Sequence, residues 1–186
     1  MNIEEEFLKE VVPDKQRPTR KVVINCKRKG NSFERTVAKI LSERFNLVFA
    51  RTVSSGSYTG GQNVKNADAL TEEQKLIYTG DIRCPVNFVF TVECKNYKTL
   101  DFYDLFNTSS VIYSWYRQSE ADSKLLNKKP LLIVKTNNHK PIAFVDVKYL
   151  LEKKVDVMDV VFTHKGKAVL WLDDLLKLPD SFFFTS

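Results

Sequence analysis

The sequence predicts one α/β domain with a mixed central sheet flanked by helices, and three observations carry that expectation. Apolar residues recur at helical spacing in Phe33, Val37, Ile40, Leu41 and Phe45, an apolar strand runs up to Cys94, and shorter strands and helices follow it. A chain of 186 residues with 43% hydrophobic and 12% aromatic residues can bury one substantial core, and a second domain would be cramped.

The elements are expected in this order. Residues 1–29 read as a basic arm, in which Pro13 and Pro18 interrupt any long helix and Val22-Val23-Ile24 offers at most one short strand. The domain proper is expected over 30–186. Asn31 or Ser32 can cap its first helix, and Leu47-Val48-Phe49-Ala50 reads as the first central strand. Residues 54–66, rich in Gly, Ser, Asn and Thr, read as loop, and a short helix at about 70–77 leads to Gly80-Asp81. Successive side chains of a strand alternate faces, so Val86, Phe88, Phe90, Val92 and Cys94 should point one way and Thr91, Glu93 and Lys95 the other. Asp101 can cap a helix holding Phe102, Leu105 and Phe106 that continues or restarts through Ile112, Trp115 and Tyr116. Strands at 131–135 and 142–145 flank the turn Asn137-Asn138-His139-Lys140. A helix near 149–152, a hairpin of 160–162 with 168–171 about Lys165-Gly166, and a helical turn from Asp173 complete the series.

No run approaches the roughly 18 apolar residues of a membrane span, and the acidic start Met1-Asn2-Ile3-Glu4-Glu5-Glu6 is unlike a signal peptide, so a soluble, cytoplasmic protein is expected. Cys26, Cys84 and Cys94 lack C-x-x-C spacing and His139 and His164 are the available histidines, which argues against structural zinc or a disulfide framework. The net charge is +6, and Lys15, Arg17, Arg20, Lys21, Lys27, Arg28 and Lys29 occur without an intervening acid. That stretch suits the phosphates of a nucleic acid, and equally a solvated tail.

The chemistry concentrates in Gly80-Asp81-Ile82 and Thr91-Val92-Glu93-Cys94-Lys95. Carboxylates such as Asp81 and Glu93 suit a hard ion such as Mg²⁺, with Mn²⁺ able to substitute, and the Cys94 carbonyl lies between the two functional side chains of its strand. Lys95 could orient or deprotonate the attacking water, or stabilise charge on a phosphoryl group. Standing alone, an E-x-K is as well explained by an ordinary pair of strand residues. Glu34 adds an independent signal. At about 100° per residue it projects between Leu41 and Phe45, inside the apolar arc, where a carboxylate needs a partner. That partner is a metal, or an amine or water network beside Asp81 and Glu93, unless Arg44, which also projects into the arc, pairs with it.

The series Gly30-Asn31-Ser32-Phe33-Glu34-Arg35, Arg51-Thr52-Val53-Ser54-Ser55-Gly56, Gly80-Asp81-Ile82 and Val92-Glu93-Cys94-Lys95 resembles the PD-(D/E)XK nuclease superfamily, and within it archaeal-type and phage Holliday junction resolvases. The resemblance covers about 28–146. It implies a restriction-endonuclease-like fold, a divalent metal, branched DNA as substrate and a homodimer whose two sites nick opposite strands. By the same resemblance Asp81 and Glu93 match metal ligands, Lys95 the catalytic lysine, Glu34 the helix glutamate and Ser55 a loop serine at the scissile phosphate. Ser55 also reads as a plain turn residue. Arg51 would contact a phosphate or close the strand, and Lys27, Arg28 and Lys29 would grip the DNA backbone. The chain departs from the pattern in three places. Gly80 replaces the usual proline, a change expected to cost little. An insertion at about 58–79 carries Asp68, Glu72 and Glu73. Asp122 stands four residues after Gln118, where RecB-like nucleases keep a tyrosine. Trp115, Tyr116, Arg117 and Gln118 read as DNA-stacking residues, with Gln118 as an auxiliary site residue, or as core or dimer interface. A restriction-like or nicking endonuclease on ordinary duplex, and a non-cleaving DNA-binding protein, are the rival readings.

Overall fold

The computed structural model describes residues 26–52, 70–107, 109–155 and 160–185, so the expected strand at 22–24, Ser55 and Asp68 lie outside the described residues. In chain order the elements are α1 (Cys26–Phe45), β1 (Ala50–Arg51), α2 (Glu72–Tyr78), β2 (Ile82–Arg83), β3 (Phe90–Tyr97), a 3₁₀ helix (Phe102–Leu105), α3 (Val111–Leu125), β4 (Lys129–Thr136), β5 (Ile142–Asp146), α4 (Val147–Glu152), β6 (Val160–His164), β7 (Lys167–Trp171), α5 (Leu172–Leu175) and α6 (Asp180–Phe183). The strands form one mixed sheet in the order β1-β2-β3-β4-β5-β7-β6. Only β3 and β4 pair in parallel, and the 3₁₀ helix and α3 make the crossover that a parallel pair requires. The fold class is the one the sequence predicts.

Two buried clusters lie on opposite faces of the sheet. On one face Phe33, Val37 and Leu41 of α1 pack with Phe90, Val92 and Cys94 of β3 and Leu131 and Ile133 of β4. On the other, Ile112 and Tyr116 of α3 pack with Leu132 and Val134 of β4, Phe144 of β5 and Val169 of β7. Strand β4 is therefore apolar on both faces, as a central strand should be. Strand β3 is not. Where β4 presents Leu132 and Val134, β3 presents Glu93 and Lys95 in register with them. The alternation expected for this strand holds from Phe88 onward.

Several boundaries differ from expectation for identifiable reasons. Helix α1 starts at Cys26 instead of at Asn31 or Ser32, so Lys27, Arg28 and Lys29 lie in its first turns. Asn31 does not cap, because its Oδ1 accepts a hydrogen bond from Arg51 Nη2 at 3.0 Å, and Lys29 Nζ ties the early helix to Tyr97 O and Asn137 Oδ1 at 3.3 and 2.6 Å. Leu47 and Val48 are not in the first strand: Asn46 turns the chain at a φ of 52°, Val48 is exposed, and the strand begins at Ala50. Val86 sits exposed in a turn, and β3 begins at Phe90. The helix after Asp101 restarts, as a capped 3₁₀ turn followed by α3.

The C-terminal segment is core. Phe182 and Phe183 are buried, Tyr149 donates its hydroxyl to Phe182 O at 2.7 Å, and Val89 N–H donates to Phe183 O at 2.8 Å. Phe88 pairs with Phe184 just ahead of β3. The tail thus fixes the start of the strand that carries Glu93. Phe183→Ala should lower unfolding free energy by about 3–5 kcal/mol, measurable by urea denaturation.

Candidate active site

Asp81 is placed by main-chain contacts on both sides. Its N–H donates to Val92 O at 2.8 Å, and Thr52 N–H donates to Asp81 O at 2.8 Å. Its side chain lies against β3, where the Cys94 N–H donates to Oδ2 at 2.9 Å. The turn that delivers it requires glycine. Gly80 has a φ of 75°, and a Cβ there would lie 2.9 Å from Thr91 Cγ2 and 3.1 Å from Val92 O. A proline, with φ fixed near −65°, cannot adopt this turn, so the substitution expected to cost little is a requirement of the local backbone.

Glu93 is the most buried acid of the site, with a side chain 4% exposed, and Lys95 Nζ donates to its Oε1 from two residues along the same face. Burial first, then the nearby charge of Asp81, pushes the Glu93 carboxyl up to about 8, against the pull of Lys95. Lys95 moves the same way: Glu93 and then Asp81 hold its ammonium above the usual lysine value despite burial. In this state Lys95 is a cation paired with Glu93.

Glu34 does turn inward, with a side chain 14% exposed, and its ion-pair partner is Arg51 of β1. Burial and Asp81 raise its pKa while the Arg51 hydrogen bond opposes them. The alternative pairing with Arg44 does not occur: Arg44 binds Asp180 at 2.9 Å and donates to Leu176 O and Leu178 O. Arg51, read from sequence as a phosphate contact or a strand-closing residue, here braces Glu34 and Asn31.

Sequence reasoning passed over Asp122. The buried face of α3 runs from Ile112 and Tyr116 to Ser119 and Ser123, switching from apolar to small and polar as it passes β3. Asp122 lies at that end. Burial and then Asp81 push its carboxyl up to about 6, with Lys95 opposing, and its own charge contributes to the rise of Glu93. The available signal was the pair of serines that break the apolar stripe. Gln118 is exposed, Tyr116 is core, and Trp115 is half-buried with its ring 5.3 Å from that of Tyr97.

Over residues 25–169 the chain matches the family described as phage putative PDDEXK endonuclease. The chain belongs to that family. Nothing matches among curated proteins or solved structures. Membership in this endonuclease family implies DNA as substrate, and PD-(D/E)XK nucleases generally use divalent metals. No helix among the described residues is long and apolar enough to cross a membrane.

The residues present fit such a metal. Asp81 raises the proton affinity of Glu34, Glu93 and Asp122, with Arg51 and Lys95 as the opposing cations, so full ionisation of the four carboxyls leaves an excess of two negative charges. One divalent cation would balance it. Among the described residues no group of three or more His, Cys, Asp or Glu forms a ready cage. Mg²⁺ needs none, since one or two carboxylates with waters and substrate phosphates commonly hold it.

Two measurements follow from this electrostatics and from the turn. Carboxyls raised in the folded state bind protons that the unfolded chain releases near 4.5, so the metal-free protein should lose thermal stability as pH rises from about 4.5 through about 8, and a divalent ion at pH 8 should restore it. A flat profile would overturn the account. Gly80→Ala should cost about 1–3 kcal/mol, whereas Gly30→Ala, in the interior of α1 where a Cβ would make an ordinary 3.8 Å contact with Glu34 Oε1, should gain up to about 1 kcal/mol, both read by chemical denaturation.

Proposed function

We propose that this chain is a Mg²⁺-dependent DNA endonuclease that resolves branched DNA, a Holliday junction resolvase acting as a homodimer in DNA recombination and repair during phage growth in the host cytoplasm. The observation that carries the hydrolytic reading is the cluster of Glu34, Asp81, Glu93 and Asp122 with Arg51 and Lys95 on and beside β3, whose negative charge is in excess by the amount one divalent ion balances. Asp81 and Glu93, with the Cys94 carbonyl, hold the metal. When bound, it supplies Lewis-acid polarisation of the scissile phosphate.

The chain's own groups do the rest. Lys95 balances charge on the phosphoryl oxygens, Glu34 is held toward the site by Arg51, and the basic start of α1, which has no acid in its first turn, faces the phosphate backbone. Ser55 would join them at the scissile phosphate. The pattern of Gly30 to Arg35, Arg51 to Gly56, Asp81 and Glu93 to Lys95 supports the choice of branched DNA.

Asp81→Asn should retain DNA binding and lose cleavage by at least about 100-fold, the upper end of what losing even an outer-shell partner costs a metal site. Chelation should abolish nicking by the wild type, and Mg²⁺ should restore it. A four-way junction should be cut faster than its separate linear arms. Equal rates would overturn the resolvase reading in favour of a duplex endonuclease, and equal nicking by wild type and Asp81→Asn would overturn the site.

A further inference from the structure

We propose that a cavity beside Lys95 receives one unstacked base of the DNA strand whose phosphate lies at the site, so that the enzyme cuts next to an unpaired nucleotide. This rests on the endonuclease reading above and specifies its substrate. The cavity, about 220 Å³ in volume, is bounded by Val134, Thr136, Ile142 and Trp171 of the sheet and by Leu105 and Ile112 above them, with Asp101 and Lys140 as one acidic and one basic residue in the lining.

Its position follows from strand register. Lys95 pairs with Val134, Val134 with Ile142, and Ile142 with Trp171, so the four side chains form one row across β3, β4, β5 and β7 on a single face. Tyr97 pairs with Thr136 in the next row. At roughly 4.8 Å between strands the cavity floor starts one strand from Lys95 and extends to about three, within reach of the nucleotide adjoining a phosphate held there.

Size, lining and charge select the occupant. Pockets for drug-sized ligands begin at about 300 Å³ and a cavity of about 150 Å³ takes benzene, so this one suits a single planar ring system. One aromatic ring lines the cavity, that of Trp171, partly exposed at the end far from Lys95, while Tyr97, half exposed and in contact with Trp115, stands on β3 outside the lining. Thr136 and His139 are polar residues of the wall, their Oγ1 and Nδ1 bonded to each other at 3.0 Å and Nδ1 also 2.8 Å from Asn137 O. Lys29, Lys98 and Lys140 are cations on the surrounding surface, Lys140 sharing its charge with Asp173 at 3.3 Å. A base stacked on an aromatic side chain, with its backbone along lysines, is the general mode of single-strand recognition.

The test uses the full chain carrying Asp81→Asn, which blocks cutting, and two duplexes of one sequence. In one duplex a single 2-aminopurine is unpaired as a bulge, and in the other it is paired with thymine. The bulged duplex should bind about tenfold more tightly, the worth of one base–aromatic stack, and its fluorescence should change on binding. Adding Ile142→Trp, which fills the cavity, or Trp171→Ala at the exposed end, should bring the two affinities together. Equal affinities before either change, or a preference that survives both, would overturn the proposal. Wild-type chain that cuts neither duplex while the bulge preference persists would instead remove the hydrolytic reading and leave the base site standing.

Discussion

Strand β3 has to be central and charged at once, and that constraint organises the molecule. Glu93 is nearly as buried as the leucine beside it in register, yet it lies in the field of Asp81 and Asp122. An unpaired ion in such a position would cost several kcal/mol. The fold reduces that cost by placing Lys95 against Glu93 and Arg51 against Glu34, and by raising carboxyl proton affinity where cations run out. The residual imbalance of two negative charges equals in size what one divalent cation neutralises, so the same feature that weakens the metal-free protein favours a bound cation.

The neighbouring elements adjust to that strip. On the α3 face the apolar cluster begins at β4 and extends through β5 and β7, and the buried face of α3 becomes serine where it nears β3. On the opposite face β3 contributes Phe90, Val92 and Cys94 to the larger cluster and is anchored as any core strand would be. One strand thus supplies rigid packing with one face and chemistry with the other.

Precision at β3 comes from both of its ends and from one turn. Phe88 and Val89 are bound by the C-terminal segment, and Lys29 of α1 donates to Tyr97 O. Gly80 brings the Asp81 chain so close to Thr91 and Val92 that a side chain has no room. The row that starts at Lys95 then continues through Val134 and Ile142 to Trp171, and these last three line the cavity.

Local pattern determined a good deal by itself. Alternation placed Glu93 and Lys95 on one face of a strand, helical projection turned Glu34 inward, and turn and cap residues marked α2, the 3₁₀ helix, the β4–β5 turn and the final hairpin. These depend on neighbours within a few residues, which a sequence records directly. Tertiary contacts decided the rest. The partner of Glu34 is Arg51 because β1 starts late enough to present it, and Arg44 is unavailable because the α5–α6 region holds it. Asp122 enters the site only because a parallel crossover lays α3 over β3. Gly80 is indispensable because of Thr91, eleven residues on, and the terminal phenylalanines are core because Phe88 and Tyr149 wait for them. Such pairings join residues distant in the chain, and no local spacing encodes which of several available charges or rings will meet.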